Sequence, residues 1–434
     1  MDKIEIIGRQ TLKGDIRISG AKNAALPLMC ASLLTDKEII LKNIPRLGDI
    51  ATMISVLEHL GATIMWRSHD TLSFDVKHIK NHEAPYDLVR KMRASILALG
   101  PLLGRYGQAI VSLPGGCAIG VRPIDIHLKG FEKMGADITI DSGNIHAKAP
   151  KNGLQGCDFD FPVVTVTGTE NMIMAAVLAN GVTTLTNAAQ EPEINDLCDL
   201  LIKMGARIQN DLKGTIVITG VSSLNSAIHS VIPDRIETGT YCVAPLMYDG
   251  EVTLCNTDPS YLSDFLDVLK SIGATVKTTD DSIYVAHPGH SLKSFNISTS
   301  PYPGIATDLQ AQLMALMCVC EGTSTVLENI WENRFMHVPE LRRFGANITV
   351  EGHKAIVEGR YPLKAAPVMA TDLRASVSLV LAALAAEGKT VLNRVYHLDR
   401  GYENFEHKLR ACGVQIERTP LYAPSIHVVQ NIAS

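Results

Sequence analysis

Residues 344–359 read FGANITVEGHKAIVEG, and the opening Phe344-Gly345-Ala346 is one of six near copies of a single phrase. The others are Leu60-Gly61-Ala62, Met134-Gly135-Ala136, Met204-Gly205-Ala206, Ile272-Gly273-Ala274 and Cys412-Gly413-Val414. Successive glycines stand 74, 70, 68, 72 and 68 residues apart, so the chain carries six copies of a unit of about 70 residues. An apolar residue, a glycine and a small residue closing a helical pattern mark a helix stop, because glycine takes the left-handed C′ conformation without steric cost. Beyond the stop, residues 347–357 alternate apolar and polar side chains around a glycine turn, the pattern of a strand or hairpin.

Working back from the stop gives the rest of the unit. Thr371-Asp372-Leu373-Arg374 leads into the apolar segment 375–386, then the turn Glu387-Gly388-Lys389, a short strand at 390–392 and an amphipathic helix at 401–411. The first helical segment is apolar nearly all round in 172–178, 309–320 and 375–386, and a helix of that kind is buried. Sheets must then lie outside enclosed helices, which makes the fold α/β. A chain of 434 residues exceeds one ordinary core, so three units in each of two domains, with a cleft between them, is the expected arrangement.

Composition narrows the function classes. Apolar residues make up 46% and charged residues 20%, a globular profile, and with aromatics at 5% the core must come from Leu, Ile, Val, Ala and Met. The net charge of −5 argues against a nucleic-acid binder, so an anionic substrate must be met by a local cluster of Lys and Arg. The start Met1-Asp2-Lys3-Ile4-Glu5 lacks a basic segment followed by an apolar one, so no secretory signal is expected. The longest apolar stretch, 375–386, is too short to span a bilayer. Nine scattered cysteines with no C-x-x-C pair point to reduced thiols in a cytoplasm, and Cys318 and Cys320 read as core.

Several residues stand outside the structural pattern. Cys117 lies among Gly115, Gly116 and Gly120, five residues before Arg122. Two readings stand: an idle thiol on a surface loop, or a thiol made reactive by a neighbouring cation. Lys22, in Ser19-Gly20-Ala21-Lys22-Asn23, opens the first buried helix against that helix's own dipole; it is either solvated or faces an anion. Arg93 and Arg374 head buried helices in the same way. Thr307-Asp308 and Thr371-Asp372 each open a buried helix, the latter the one Arg374 heads; each is an ordinary cap, but the loop 302–306 would bring Asp308 to a ligand-facing edge. Arg334 and Arg400 fall at corresponding places in the fifth and sixth units, where Asp399 could pair with Arg400 locally. Cations at repeat-equivalent positions suit phosphate and carboxylate groups.

The stretches 19–27, 114–125, 303–312, 332–340 and 399–403 together resemble the enolpyruvyl transferases, in order and along essentially the whole chain. They are most similar to those members that act on UDP-N-acetylglucosamine in the first committed step of peptidoglycan synthesis; the family also holds the shikimate 3-phosphate enzyme. The resemblance implies a two-domain inside-out α/β barrel, with residues 21–229 as one domain and 1–20 plus 230–434 as the other. It implies phosphoenolpyruvate and UDP-N-acetylglucosamine as substrates, no cofactor, no metal, no nucleic acid, no membrane insertion and no protein partner. Cys117 would protonate C3 of phosphoenolpyruvate, and Asp308 would be the base toward the sugar hydroxyl. Lys22, Asn23, Arg122 and Arg400 would hold phosphoenolpyruvate. Asn23, Arg93, Arg122, Pro123, Ile124, Asp125, Ile126, Val163, Val164, Thr165, Val166, Asp308 and Ile330 would line the nucleotide-sugar site. Arg334 and Arg374 would serve closure, and Asp372 would support the reacting centre. The chain departs from the family in 164–169, Val-Thr-Val-Thr-Gly-Thr, where the glycine is displaced by one position, and in Val163, where several members carry a Lys.

Overall fold

The computed structural model describes residues 2–90, 92–113, 124–211, 213–359 and 362–420. All six phrases end a helix in the same way. The glycines take φ of +120° at Gly61, +92° at Gly135, +103° at Gly205, +105° at Gly273, +87° at Gly345 and +94° at Gly413. The following N–H reaches back to the helix, as from Ala62 to the Leu57 carbonyl (2.9 Å) and from Ala206 to the Leu201 carbonyl (2.9 Å). These are Schellman caps, which satisfy carbonyls that the helix end leaves open.

The third unit shows the repeat without interruption. Its order is strand Asp158–Asp160, helix Val166–Ala176, strand Val182–Thr186, helix Pro192–Lys203, and strands Arg207–Asn210 and Ile216–Thr219. The first two strands pair in parallel, and the last strand sits antiparallel between the second and third. Six four-stranded sheets share this order. They remain separate sheets among the described residues, so the architecture is inside-out α/β with no closed barrel.

Three of the sheets take a strand from a distant part of the chain. Leu12–Arg17 pairs in parallel with Gly250–Cys255 of the fourth unit, and Ala227–Ser230 pairs in parallel with Ile39–Lys42 of the first. Asp2–Ile7 fills the sixth sheet between Lys389–Asn393 and Ile416–Pro420. The chain therefore crosses between the two halves twice, side by side: the Ala21 amide donates to Ile232 (2.7 Å) and the Asp234 amide to Ser19 (2.9 Å). A Cβ on Gly20 would lie 1.7 Å from the Asn43 carbonyl oxygen, so the crossing needs a glycine there.

Buried apolar residues form two cores, one drawn from 21–231 and the other from 4–18 with 236–416. Every residue of the helices Gln310–Met317 and Ala375–Ala385 is buried, as their all-round apolar character requires. Cys318 and Cys320 are core, as expected. The segment 309–320 is an α-helix only over Gln310–Met317: Leu309 belongs to a 3-10 turn, Thr307–Leu309, and the helix ends at its C-cap Cys318. The segment 401–411 is also divided: a 3-10 turn covers Val395–Arg400, and the helix begins at Phe405 after Asn404 takes φ of +50°. No helix among the described residues is long and apolar enough to cross a membrane.

Candidate active site

The heads of the buried helices meet where the two cores face each other, and charged side chains gather there in two clusters. In the first, Lys22 opens the helix Lys22–Ala31 behind Ala21, which offers no side-chain cap. Its ammonium lies 3.1 Å from Oδ2 of Asp49, in the first turn of the helix Gly48–Leu60. Arg400, from the other half of the molecule, donates Nε to Oδ1 of the same carboxylate at 2.8 Å. Asp49 is 3% exposed. Burial alone would push its pKa up, but the charges and hydrogen bonds of Lys22 and Arg400 outweigh burial and hold it below the usual carboxylate range. The anion expected opposite Lys22 is thus present, as a carboxylate of the chain itself. The local pairing of Asp399 with Arg400 is not formed: Asp399 binds Arg418 at 2.6 Å instead.

The second cluster is built around Asp308. Its Oδ1 accepts from Nη2 of Arg334 at 2.7 Å, and Nε of Arg374 lies 3.4 Å from its Oδ2. Arg374 also approaches Asp234 (3.7 Å), donates to the Gly401 carbonyl (3.4 Å) and lies over the Tyr402 ring. Both arginine side chains are 4% exposed while that of Asp308 is 28% exposed, so the carboxylate is the group open to solvent. Burial works against the charge of Arg374, and the neighbouring Asp234 and Asp308 carboxylates hold the pKa up nonetheless. Gly401 follows Arg400 in the chain, so one short segment serves both clusters.

Glu328, 1% exposed, fixes the spacing of Asp308 and Arg334. It accepts from the hydroxyls of Thr299 and Thr307 and from the amides of Ile330 and Trp331. Thr307 precedes Asp308, and the amides belong to the loop that carries Arg334. Asp372 plays a capping part: its Oδ1 accepts from the amides of Arg374 (3.0 Å) and Ala375 (2.9 Å). The buried His337 ring beside it is held near neutral, at a pKa of about 4, chiefly by burial.

The remaining expected residues sit at the heads of the second and third units. Asn23 follows Lys22 on its helix, and Arg93 begins the 3-10 turn Arg93–Ala98. Burial, and then the charge of Arg93, depress His127 to about 4. The Thr165 hydroxyl caps the helix Val166–Ala176 through the Gly168 amide (3.3 Å). A Cβ on Gly168 would lie 2.4 Å from Cγ2 of Thr165, so the displaced glycine makes room for a threonine cap. Val163 is exposed, whereas Val164 and Val166 pack on the first core. Asp125 begins a helix and pairs with Lys129 at 3.1 Å, while Ile124 and Ile126 pack on the same core. Cys117, Arg122 and Pro123 lie outside the described residues.

Three residues of the clusters escaped the sequence reading: Asp49, Asp234 and Glu328. Asp234 was detectable, since the repeat places it at the head of the fourth unit's buried helix, where it caps the amides of Ile236 and Glu237. Asp49 reads as an ordinary first-turn acid, and Glu328 as a strand-end residue.

The chain is similar to known proteins along nearly its whole length. Residues 6–409 match the family model described as EPSP synthase (3-phosphoshikimate 1-carboxyvinyltransferase). A UDP-N-acetylglucosamine 1-carboxyvinyltransferase from Psychrobacter sp. (strain PRwf-1) is 54% identical over 419 residues, covering 96% of each chain. One of the same name from Afipia carboxidovorans is 55% identical over 427 residues, covering 96% of this chain and 99% of its own. Among solved structures, the enolpyruvyl transferase NikO from Streptomyces tendae superposes with a TM-score of 0.86 at 26% identity, covering 96% of this chain and 99% of its own. An EPSP synthase from Acinetobacter baumannii shares the fold, with a TM-score of 0.74 at 16% identity over 97% of this chain and 100% of its own. With a family model matched over nearly its whole length and relatives more than half identical to it, the chain belongs to the EPSP synthase family of enolpyruvyl transferases.

Proposed function

We propose that this protein transfers the enolpyruvyl group of phosphoenolpyruvate to the 3-hydroxyl of UDP-N-acetylglucosamine, with release of phosphate. The observation that carries the reading is the 54% identity to a relative of that name along 96% of both chains. The EPSP synthase, at 16% identity, is near in fold alone, so shikimate 3-phosphate is the weaker acceptor candidate. The reaction is the first committed step of peptidoglycan synthesis, and we place it in the cytoplasm. The working boundaries are residues 21–229 for one domain and 1–20 with 230–434 for the other, which puts the reaction in the cleft between them.

In the proposed chemistry, Asp308 takes the proton of the sugar 3-hydroxyl while the oxygen bonds to C2 of phosphoenolpyruvate and the Cys117 thiol gives its proton to C3. The tetrahedral ketal then returns a C3 proton to the thiolate, and the bond from C2 to the phosphate oxygen breaks. The proton held by Asp308 leaves with phosphate. Lys22, Asn23, Arg122 and Arg400 hold the donor's phosphate and carboxylate, and fixed cations there stabilise the charge that develops. A carboxylate is a weak base at neutral pH, so Asp308 acts by placement; its contact with Arg334 and the Glu328-bound loop support that role. Arg93 and the segments 123–126 and 163–166, with Ile330, line the nucleotide-sugar side. Arg334 and Arg374 act in closure, and Asp372 supports the reacting centre. The Cys117 sulfur can also add to C2 of phosphoenolpyruvate, its proton going to C3, to give a pyruvate-type adduct.

The test is to incubate the protein with phosphoenolpyruvate and either UDP-N-acetylglucosamine or shikimate 3-phosphate, and to follow phosphate release. Release with the nucleotide sugar is expected. Release only with shikimate 3-phosphate, or with neither, overturns the proposal.

A further inference from the structure

Among the described residues Asp49 is the one carboxylate that touches both Lys22 and Arg400, and its surroundings are unusual for an acid in an anion site. Each oxygen has its own partner: Lys22 at 3.1 Å on Oδ2, Arg400 at 2.8 Å on Oδ1. The two cations come from opposite halves of the molecule, since Lys22 opens the first helix of one core and Arg400 ends the 3-10 turn Val395–Arg400 of the other. With its side chain 5% exposed, Asp49 presents almost nothing to solvent, whereas the Arg400 side chain remains 36% exposed. Arg400 spends only its Nε edge on Asp49, which leaves the two terminal nitrogens of the guanidinium for another acceptor.

Two cations that share one carboxylate are held a fixed distance apart. Without it they repel, and Arg400, already partly exposed, has solvent to move into. We infer that Asp49 is a positioning residue for phosphoenolpyruvate: its buried carboxylate, clamped between Lys22 and Arg400, sets the spacing at which these cations receive the phosphate and carboxylate of the substrate. The inference rests on the reading of Lys22 and Arg400 as donor-binding residues.

It also makes a prediction opposite in sign to simple charge counting. Removing a negative charge from an anion site should tighten anion binding if Asp49 only adds charge. If it sets spacing, the same change weakens binding.

The experiment is steady-state kinetics of the full-length protein with both substrates varied, for Asp49→Asn, Asp49→Glu and, as reference, Lys22→Ala. Asp49→Asn keeps the shape and loses the charge; Asp49→Glu keeps the charge and lengthens the reach by one methylene. The expected result is a KM for phosphoenolpyruvate raised about tenfold or more in Asp49→Asn and a few-fold in Asp49→Glu. The KM for UDP-N-acetylglucosamine should stay within about twofold in both, which a general loss of folding would not produce. Because Asp49→Glu retains the ion pairs, it supplies the answer should Asp49→Asn fail to fold. An unchanged or lowered phosphoenolpyruvate KM in the folded Asp49 variants, with Lys22→Ala raised, overturns the positioning role alone. An unchanged phosphoenolpyruvate KM in Lys22→Ala removes the donor-site reading itself, and the role of Asp49 with it.

Discussion

The heads of the six buried helices are the same structural post, yet only the second half of the molecule places an acid at every one. In the first half Lys22 and Arg93 stand there and the neutral Thr165 caps the third helix; in the second half an acid stands at each head, Asp234, Asp308 or Asp372, with Arg235 and Arg374 beside the first and the last. The physics is not symmetric. A helix N-terminus carries partial positive charge and open N–H groups, so an acid there is stabilised by the helix it caps. A cation there opposes the dipole and needs an anion from elsewhere, which Asp49 supplies for Lys22. The acids of the second half are thus held by helix amides at Asp234 and Asp372 and by arginines at Asp308, whereas Lys22 in the first half draws its anion from another helix. Under the proposed function, the difference teaches how one repeated unit divides a reaction: cations to hold an anionic donor, acids to handle a proton.

The comparison is broken most severely at Asp308. Asp308→Asn keeps the shape and removes the base, and kcat should fall by about 10²–10⁴-fold, read by phosphate release. A loss under tenfold would mean that the acid half does not act on the proton. Next in size is Glu328→Gln, which weakens the acceptor for two hydroxyls and two amides. It should cost roughly 2 kcal/mol of stability by denaturant melt and lower kcat about tenfold as Asp308 and Arg334 lose register. Stability loss with unchanged kcat would reduce Glu328 to a folding residue.

The helix stops sharpen the comparison outside the site. Alanine at Gly345 meets only backbone strain, since φ is +87° and no atom lies within 4 Å of the added Cβ, so about 1–2 kcal/mol should be lost. Alanine at Gly61 has φ of +120° and would also lie 2.6 Å from the Lys80 amide nitrogen, so its loss should be larger, about 3 kcal/mol. Equal melting shifts would contradict that ranking.

The smallest effect concerns Glu170, on the first half's third buried helix. Burial, followed by the charges of Glu193 and Glu191, raises its pKa well above the usual carboxylate value. A carboxyl with a raised folded pKa favours folding at low pH and loses that contribution as pH rises above about 4.5 toward its folded value. Glu170→Gln should therefore gain melting temperature relative to the parent as pH goes from 5 to 8, by roughly 1–2 °C. Parallel curves would show that Glu170 is not held neutral.

Much of this was legible in the sequence because it is local. A helix stop that needs a left-handed residue leaves a glycine in the text, six times over, and an enclosed helix leaves an apolar run. The exchange of Leu12–Arg17 and Ala227–Ser230 between sheets left no such mark, because strand pairing is a long-range choice. For the same reason Asp399 looked like the partner of its neighbour Arg400, while the fold gave it Arg418 and gave Arg400 to Asp49, 351 residues away. Arg374 looked like an unbalanced cation at a helix head; tertiary packing sets it between two acids. Lys22 left two readings open, solvated or facing an anion, and gave no sign that the chain itself contained the anion.

Equilibrium titration of phosphoenolpyruvate, in the presence of UDP-N-acetylglucosamine, into the Lys22→Ala and Asp308→Asn variants tests the division of labour most directly. Affinity for phosphoenolpyruvate should fall about tenfold or more in Lys22→Ala and stay within about twofold in Asp308→Asn, although turnover is lost in the latter. The reverse pattern, or equal losses in both, would contradict a cleft whose cations hold the donor and whose acids move the proton.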